Sequence, residues 1–426
     1  MKFGDLRGIL QYVPQFRGRT FVVALDGEIV ASKNFSNILL DLAVLRSLNV
    51  KVVLVHGAAF QIKTLASRRG VELSNSDGTG VTDDATLEVG LDAITRLTSS
   101  VMQSLTTLKI RAATANAIIA HPAGIVGGVD QGHTGTIERV DTEALNGFLA
   151  QEILPVVPPL AYDASGRTLR VNSDAVALEV GVALKAAKVI YVLKGEPDFG
   201  LPTQVARQLP ADEAELLRQR VGEQQPMGLR SKLKHAIRAC REGVPRVHLI
   251  NGNRHDAILA ELFSNEGIGT MVFADSYRSI RTATEADVEE MILMMRRAVE
   301  DEMLVERTKE EIFARLSDYL IIEIDGNVVG CVALHEDPDG SVAEIACLHV
   351  KRSHEGLGYG GFLIAEAEKR AAKAGLKAYA VSTQAIGFFE KHGYRRRDDW
   401  SFLPESRRER LRSNGRNSIV LTRGGE

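Results

Sequence analysis

A cluster of glycines after an apolar, strand-like segment is the clearest sign of chemistry in this sequence. Residues 344–350 read EIACLHV, and Gly356, Gly358 and Gly360 follow them before a segment with apolar residues at helical spacing. The first N–H groups of a helix have no partner within it, and the helix dipole places partial positive charge beside them. Glycines lack the Cβ that would keep a bulky pyrophosphate away from that backbone. The pattern predicts a phosphate-binding turn, with a plain turn as the alternative when the glycines are taken alone.

A second amphipathic segment, residues 383–394 with the sequence TQAIGFFEKHGY, follows this turn. Together the two segments resemble the coenzyme A-binding core of the GCN5-related N-acetyltransferases. The resemblance implies acetyl-CoA as a co-substrate and no metal. It assigns coenzyme A contacts to a strand end, the glycine turn and one aromatic residue, namely Leu348, His349, Val350, Glu355, Gly356, Leu357, Gly358, Tyr359, Gly360 and Phe389.

Glu355 departs from this family's pattern, which usually has Arg or Gln at that place. A carboxylate there would lie beside the proposed pyrophosphate, and like charges repel. We therefore expect a weakened phosphate site unless Lys351, Arg352 or His354 offsets the charge.

Composition limits the possible classes of protein. A chain of 426 residues usually folds as two domains, and 45% apolar with 25% charged residues is ordinary for a globular protein. The net charge of −3 gives no electrostatic footprint for nucleic acid. Three scattered cysteines have no metal-ligand spacing and fit a reducing, cytoplasmic location. The sequence has neither a signal peptide nor a membrane-spanning segment, so we expect no membrane partner.

The first part of the chain alternates β-branched apolar runs with helical patterns, which is typical of a parallel sheet covered on both faces. The expected strands are residues 21–25, 50–55, 117–120, 153–157, 189–193 and 247–250. Residues 20–27 (TFVVALDG), 55–62 (VHGAAFQI) and 170–177 (RVNSDAVA) resemble motifs of the amino-acid kinase family. The fold class is therefore expected to be α/β, with a three-layer αβα amino-acid-kinase-like domain at 1–275 and an N-acetyltransferase α/β domain at 278–426.

Departures from the kinase motifs indicate that this domain is not a kinase. The family's phosphate-neutralising lysine falls at Ala24, and its glycine pair falls at Ala58 and Ala59. Phosphoryl transfer depends almost wholly on positioning and charge stabilisation, so losing that lysine should severely impair it.

The first domain also resembles arginine-regulated N-acetylglutamate kinases and synthases, in residues 9–20 and 261–272. This resemblance implies an allosteric arginine site, because a carboxylate can pair with a guanidinium through two hydrogen bonds. The implied residues are Tyr12, Lys194, Glu261, Gly267 and Ile268. The alternative is a domain that serves only as a scaffold for a homo-oligomer.

The carboxy-terminal tail narrows the family. Residues 403–420 (LPESRRERLRSNGRNSIV) and 305–312 (VERTKEEI) resemble segments of bacterial N-acetylglutamate synthases, and the domain order agrees. The resemblance implies transfer of acetyl from acetyl-CoA to the α-amine of L-glutamate, as the first step of arginine biosynthesis, with L-arginine as inhibitor. A cytoplasmic homo-oligomer is expected.

This reaction requires groups that bind glutamate and move protons. We predict that Glu344 takes a proton from the substrate ammonium, and that an N–H near Leu348 polarises the thioester carbonyl. Ser382 is a weak candidate to protonate the thiolate, because Phe388 and Phe389 stand where many such enzymes have a tyrosine. Substrate contacts are assigned to Arg307, Cys347, Arg416 and Ser418.

Each of these assignments has a simpler alternative. Glu344 could be an exposed strand residue, Arg307 could begin a solvated helix, and most of the arginine-rich run around Arg416 must be surface. Cys347 fits a small buried residue better than a nucleophile, because no His or Asp lies near enough in sequence to suggest a triad. Two other functions remain open: a kinase fused to a degenerate acetyltransferase, and a non-catalytic, amino-acid-responsive regulator.

Overall fold

The computed structural model describes residues 16–200, 207–221, 225–263, 267–274, 278–300, 304–324, 327–337, 341–356, 358–413 and 418–423. Three residues assigned from the sequence, Tyr12, Leu357 and Arg416, lie outside these ranges. The chain divides into two compact units, Met1–Asp275 and Ser276–Glu426.

An eight-stranded, mostly parallel sheet forms the centre of the first unit, in the order β12-β14-β13-β11-β1-β2-β8-β3. Only β13 and β14 pair antiparallel within it. Its strands are β1 (Thr20–Leu25), β2 (Lys51–His56), β3 (Ala112–Thr114), β8 (Leu154–Val157), β11 (Lys188–Leu193), β12 (Gln208–Pro210), β13 (Arg246–Asn251) and β14 (Thr270–Phe273).

Helices cover both faces of this sheet, because its strands are apolar on both sides. Along β1, Val22 and Ala24 belong to one buried core, while Phe21, Val23 and Leu25 belong to the other. The layers are therefore αβα, as the sequence predicts. The helices are α1 (Gly27–Val30), α2 (Phe35–Ser47), α3 (Ala59–Arg69), α4 (Asp84–Thr107), α5 (Thr142–Ala150), α6 (Ser173–Ala183), α7 (Ala211–Val221), α8 (Met227–Arg241) and α9 (Ala257–Leu262).

Residues 117–120, expected in the parallel sheet, belong instead to a separate four-stranded sheet of order β10-β9-β4-β7. Buried and more exposed residues alternate along this strand, as they do in a sheet with one solvated face. The strands of this sheet are β4 (Ile118–Pro122), β7 (Gly135–Val140), β9 (Leu160–Tyr162) and β10 (Thr168–Arg170), and a small hairpin of β5 (Ile125–Val126) and β6 (Val129–Asp130) lies beside them in sequence.

The second unit is built on a seven-stranded sheet with the order β15-β16-β17-β18-β19-β21-β20. Residues 325–327 (DGN) lie between two apolar segments, which predicts a hairpin, and β16 does pair antiparallel with β17. The strands are β15 (Arg278–Thr282), β16 (Tyr319–Ile324), β17 (Asn327–Glu336), β18 (Val342–Val350), β19 (Lys377–Ser382), β20 (Tyr394–Arg397) and β21 (Ile419–Arg423).

Three apolar cores lie on this second sheet, the smallest of them around Tyr379 and Val420. Leu363, Ala367 and Ala371 of one helix pack on one face, and Met291 and Met295 of another contribute to the second core. The helices are α10 (Val288–Glu300), α11 (Lys309–Ala314), α12 (Tyr359–Lys373), α13 (Ile386–Lys391) and α14 (Glu405–Ser413), with short 3₁₀ turns at Glu285–Asp287, Leu316–Asp318 and Arg352–His354. Of the helices in the described ranges, none combines the length and apolar character needed to cross a membrane.

Candidate active site

Strand β18 carries five of the residues predicted for acetyl transfer, and its pairing changes along its length. It pairs in parallel with β19 from Val342 to Ile345, where the described pairs end, while β19 continues against β21. An extended ligand with amide groups can add to such an edge as a strand would. The residues predicted to contact coenzyme A on this strand lie along that stretch: Leu348, His349 and Val350.

A β-bulge shapes the other edge of β18. The register with β17 shifts between Cys331 and Ala333, so that two residues of β18, Cys347 and Leu348, face Val332 alone. The φ angle of Cys347 is 52°, which is uncommon for a residue other than glycine. Such bulges are over-represented beside active sites, and this one coincides with the place where an N–H is predicted to polarise the thioester.

The glycine turn leads into α12 through backbone conformations that favour glycine. The φ angles are 81° at Gly356 and 79° at Gly358, which is the N-cap of the helix. A Cβ on Gly356 would meet nothing within 4 Å, and a Cβ on Gly358 would meet only the Phe362 ring at 3.8 Å. The start of α12 is therefore open at this point, as an anion site requires.

Gly360 and Phe389, both predicted to contact coenzyme A, lie where α12 and α13 pack together. A Cβ on Gly360 would lie 2.8 Å from Cζ of Phe388, so this glycine lets α12 pack closely against α13. Phe389 is only 4% exposed, and its ring centroid lies 5.3 Å from that of Tyr394. Both residues thus support the packing of the helix behind the turn.

Glu355 remains an exposed negative charge at the turn. Lys351 was one of three cations expected to offset it, but its Nζ lies 2.6 Å from Oε1 of Glu290. Burial lowers the pKa of His349, while the Met294 carbonyl and the Glu355 carboxylate act in the opposite direction. Glu355 therefore raises the pKa of His349 by its charge, and Lys351 forms its ion pair with Glu290.

Glu344 is a partly buried member of a polar cluster. Its Oε1 lies 2.5 Å from Nη2 of Arg407 on α14, and its Oε2 accepts a hydrogen bond of 3.4 Å from the Tyr379 hydroxyl. Tyr379 also donates to Asp337 at 3.1 Å. Glu344 is thus held in one orientation, and a proton taken from a substrate would have to reach it past these partners or through water.

We call the side of the sheet that carries Glu344 the acceptor face. His335 lies directly opposite Glu344 in the pairing of β17 with β18, so the two side chains share this face. Tyr379 lies opposite Glu344 on the other flank. Ser382 is three residues beyond Tyr379 on β19, and an odd separation along a strand places it on the opposite face.

The structure separates three other predicted residues into two groups: Arg307 in one, and Ser382 with Ser418 in the other. Arg307 precedes α11, and its positive charge acts on both Tyr319 and Cys347. Ser382 Oγ accepts a hydrogen bond of 2.9 Å from the N–H of Ala385, and Ser382 pairs with Ile419, the residue after Ser418. The structure therefore brings Arg307 to the bulge and places the two serines near each other at the end of β19.

Cys347 has an environment that the sequence did not indicate. Its Sγ lies 3.8 Å from the hydroxyl of Tyr319. Burial acts to raise the pKa of its thiol, but His335, Arg307 and Tyr319 lower it below its ordinary value. Asp318 holds the same imidazole, with Oδ2 2.8 Å from Nδ1. Strand pairing thus brings the Asp318–His335 pair, which is distant in sequence, into the electrostatic surroundings of Cys347.

The kinase-like unit contains a second buried polar cluster. Lys232 Nζ on α8 lies 2.7 Å from Oδ1 of Asp26 and 3.1 Å from Oδ1 of Asp174. These two carboxylates belong to two of the segments that resemble kinase motifs. Burial raises the pKa of Asp26, against the opposing effect of Lys232. Ala24, where the kinases have a lysine, is only 5% exposed and lies in the apolar core. The one lysine of this cluster is therefore neutralised by two carboxylates.

Glu261 is the centre of a third cluster. Its Oε1 lies 2.6 Å from Nδ1 of His248, and its Oε2 accepts from the N–H groups of Ile268 and Gly269 at 2.6 and 2.8 Å. Lys188 Nζ lies 3.2 Å from the other ring nitrogen of His248. Burial pushes the pKa of Glu261 upward, but these hydrogen bonds lower it below its usual value. Burial also lowers the pKa of His248 to about 4.

Two other residues were predicted for this site: Gly267 lies beside Glu261, and Lys194 lies far from it. A Cβ on Gly267 would meet Glu261 Oε2 at 2.9 Å, so this glycine adjoins the carboxylate. Lys194 follows the far end of β11 and lies 3.6 Å from Glu28. Since Ile190 pairs with His248 and a strand rises by about 3.3 Å per residue, Lys194 is roughly 13 Å further along. Lys188, and not Lys194, is the lysine near Glu261.

The main functional residues missed from the sequence are His335, Asp318, Arg407, Lys188 and His248. Their positions follow from strand register and helix docking, which single-sequence periodicity does not give. Arg407 had the strongest available signal, because it lies in the tail segment that resembles the synthases.

Comparisons with known proteins agree with this architecture. The Amino acid kinase family matches residues 19–251, and the Acetyltransferase (GNAT) family matches residues 286–394. The amino-acid acetyltransferase of Shewanella oneidensis is 32% identical over 96% of this chain and 94% of its own length. That of Vibrio vulnificus is 33% identical over 90% of each chain.

Two solved structures cover nearly the whole chain. N-acetylglutamate synthase from Neisseria gonorrhoeae, complexed with coenzyme A and L-arginine, is 28% identical, with a TM-score of 0.84 and 99% coverage of each chain. The same enzyme complexed with coenzyme A and N-acetyl-glutamate is 31% identical, with a TM-score of 0.64. With an amino-acid-kinase-like unit followed by an acetyltransferase unit, this chain belongs to the amino-acid acetyltransferase family.

Proposed function

We propose that this enzyme transfers the acetyl group of acetyl-CoA to the α-amine of L-glutamate, in the cytoplasm, as the first step of arginine biosynthesis. The observation that carries the proposal is the position of Glu344 on β18. Beyond Ile345 this strand no longer pairs with β19, and it then leads into the glycine turn. A thioester held along that stretch would place its acetyl group near a carboxylate that can accept a proton.

The chemistry then follows from Glu344 on the acceptor face and from residues around the ends of β18 and β19. Only the free amine attacks a thioester, so a base must take a proton from the substrate ammonium, and Glu344 is that base. Arg307 would bind one carboxylate of glutamate, and Arg416 with Ser418 would bind the other. The N–H near Leu348 would stabilise the charge that develops on the carbonyl oxygen. Ser382 would donate a proton to the departing thiolate.

The direct experiment measures thiol release from acetyl-CoA with glutamate, aspartate or glutamine as acceptor, each with and without ATP. Glutamate should support the fastest release, and ATP should change nothing. Release that is equal for all three amino acids would contradict the substrate assignment. ATP-dependent formation of ADP with N-acetylglutamate would instead favour a working kinase.

The kinase-like unit is proposed to have no phosphoryl-transfer activity. A phosphate needs unpaired positive charge, and Lys232 is already held by Asp26 and Asp174. Ala24 supplies none. A purified enzyme that produces no ADP from ATP and N-acetylglutamate would agree with this proposal.

We further propose that L-arginine regulates the enzyme at the cluster around Glu261. The carboxylate would pair with the guanidinium, and Lys188 lies close enough to serve the α-carboxylate. Arginine would alter activity by binding one state of the enzyme better than another. The same unit is expected to form a homo-oligomer, which light scattering can test.

Three substitutions test whether Glu261 binds arginine and which of two lysines, Lys188 or Lys194, belongs to the site. Glu261→Gln and Lys188→Met should remove the effect of arginine while thiol release without arginine stays near that of the original enzyme. Lys194→Met is the matched control and should keep the full arginine response, because Lys194 pairs with Glu28 at the far end of the strand. Loss of the response in Lys194→Met alone would refute this placement.

A further inference from the structure

The acetyl transfer proposed above releases a proton in every turnover, and Glu344 is the group that takes it. An ammonium and a thioester together give an amide, a thiol and one proton, so that proton has to reach the solvent. Glu344 must therefore lose its proton before the next ammonium can give one up. Its side chain is only 15% exposed, and its Oε1 is paired with Arg407. The carboxylate is thus poorly placed to pass a proton directly to bulk water.

A buried tyrosine lies between Glu344 and a second carboxylate. Tyr379 is fully buried, and its hydroxyl oxygen lies 3.4 Å from Oε2 of Glu344 and 3.1 Å from Oδ2 of Asp337. A phenol carries one proton, so it can donate to only one of these oxygens at a time. Asp337 is the nearer acceptor, which leaves a lone pair of the phenol oxygen for Glu344. Once Glu344 is protonated, it can donate to Tyr379.

Strand register brings these three groups together. Tyr379 pairs with Glu344 across β19 and β18, and Asp337 directly follows β17, on the other flank of β18. Burial, and after it the charges of Glu344 and Asp337, raises the pKa of Tyr379 well above its usual value. The phenol therefore stays neutral, which suits it to passing a proton on. Asp337 is partly exposed, so a proton that reaches it can pass to water.

We propose that Tyr379 and Asp337 carry the proton from Glu344 to the solvent, in a relay that rests on the proposed function because Glu344 must be the base. Protonated Glu344 gives its proton to the phenol oxygen as the phenol proton moves to Asp337, which then loses it to water. One O–H bond forms and one breaks at the phenol, so Tyr379 stays neutral and both carboxylates regain their charge. Tyr379 and Asp337 act through Glu344 and are positioning residues.

The first turnover distinguishes a relay from a structural role. Glu344 carries no proton at the start, so a broken relay leaves the first acetyl transfer at its original rate and slows every later one. The full-length enzyme is mixed with saturating acetyl-CoA and glutamate in dilute buffer, and thiol release is followed by stopped flow. Tyr379→Phe and Asp337→Asn should each show a burst of one thiol per active site, and then a steady rate roughly tenfold below that of the original enzyme. Added imidazole should restore the steady rate, because a small base can take the proton from Glu344.

A second buried tyrosine in the same unit provides the matched controls. Tyr394 is only 2% exposed, and its hydroxyl donates to Glu368 at 2.9 Å. Tyr394→Phe and Glu368→Gln should show neither a burst nor a response to imidazole. Glu344→Gln tests the proposed function itself and should slow the first turnover as much as the later ones, while calorimetry shows that acetyl-CoA still binds. An unchanged rate in Glu344→Gln would refute this base, and the relay with it.

Three results would overturn the relay and leave the proposed function intact. One is a steady rate in Tyr379→Phe and Asp337→Asn that equals that of the original enzyme. Another is equal slowing of the first and later turnovers that imidazole does not relieve, which would give these residues a structural role. The third is a burst in His335→Gln alone, which would place the exit at the residue opposite Glu344 on β17.

Discussion

Arg407 fastens the last helix of the second unit to strand β18 through an ion pair with Glu344. The distance from Nη2 to Oε1 is 2.5 Å, and the two side chains are only 19% and 15% exposed. Because water is largely excluded, this attraction is stronger than that of a pair on an open surface. The proposed proton acceptor is thereby held in place by a residue of the tail.

A double-mutant cycle tests this ion pair. Arg407→Gln leaves the Glu344 carboxylate partly buried without its cation and should lower the free energy of unfolding by about 2 kcal/mol. Adding Glu344→Gln should cost less than the sum of the two single changes, with a coupling energy of about 1–2 kcal/mol. Arg412→Gln, at an exposed position of the same helix, is the control and should change little. Additive effects measured by urea unfolding would show that the pair is not coupled.

The glycine turn is tested by two matched substitutions at opposite ends of α12. Gly358 and Gly375 have φ angles of 79° and 74°, so valine strains both to a similar extent, by about 1–2 kcal/mol. A Cβ would meet open space at Gly375 as well. Only Gly358→Val should abolish acetyl-CoA binding in calorimetry, because its side chain would occupy the pyrophosphate's place. Equal binding by both variants would remove the phosphate-turn interpretation.

Arg307 should matter for glutamate and not for acetyl-CoA. Arg307→Ala removes a charge-assisted contact to a carboxylate, which costs about 1.5–3 kcal/mol and corresponds to a rise in the glutamate KM of roughly ten- to a hundredfold. Lys309→Ala is the matched control, because Lys309 begins the adjoining helix and pairs with Glu289 on the surface. A similar rise in both KM values would place Arg307 outside the glutamate site.

Acid should destabilise the first unit through a buried histidine. His56 is fully buried, and burial lowers its pKa to about 4 from 6.5. The unfolded chain therefore binds more protons between these values, so stability is present above pH 6.5 and is lost as pH falls toward 4. At pH 5 the loss is about 2 kcal/mol for this one group.

The measurement is urea unfolding at pH 7 and pH 5. His56→Gln can keep the hydrogen bond to Thr98, which lies 2.9 Å from Nε2, and should reduce the loss of stability between the two pH values. His255→Gln changes an exposed histidine and should leave the loss unaltered. An unchanged pH dependence in His56→Gln would show that this histidine is not its source.

The sequence predicted the αβα layers, the hairpin of β16 and β17 and the glycine turn, because these depend on local apolar patterns and on glycine. It misplaced residues 117–120, since periodicity identifies a strand but not the sheet to which the strand belongs. It also missed the pairing of His335 opposite Glu344, which depends on the register of two strands. Lys194 was assigned and Lys188 was overlooked, because sequence alone does not show which end of β11 adjoins Glu261.

Transfer of the acetyl group to the glutamate α-amine is the central claim, and isotopic labelling tests it most directly. The enzyme is mixed with acetyl-CoA carrying ¹³C in the carbonyl and with α-¹⁵N-glutamate, and the product is followed by NMR. A directly bonded ¹³C–¹⁵N amide should appear in equal amount with free thiol, and Gly358→Val should abolish it while Gly375→Val retains it. Thiol release without that amide, or an amide that Gly358→Val still forms at the original rate, would contradict the account.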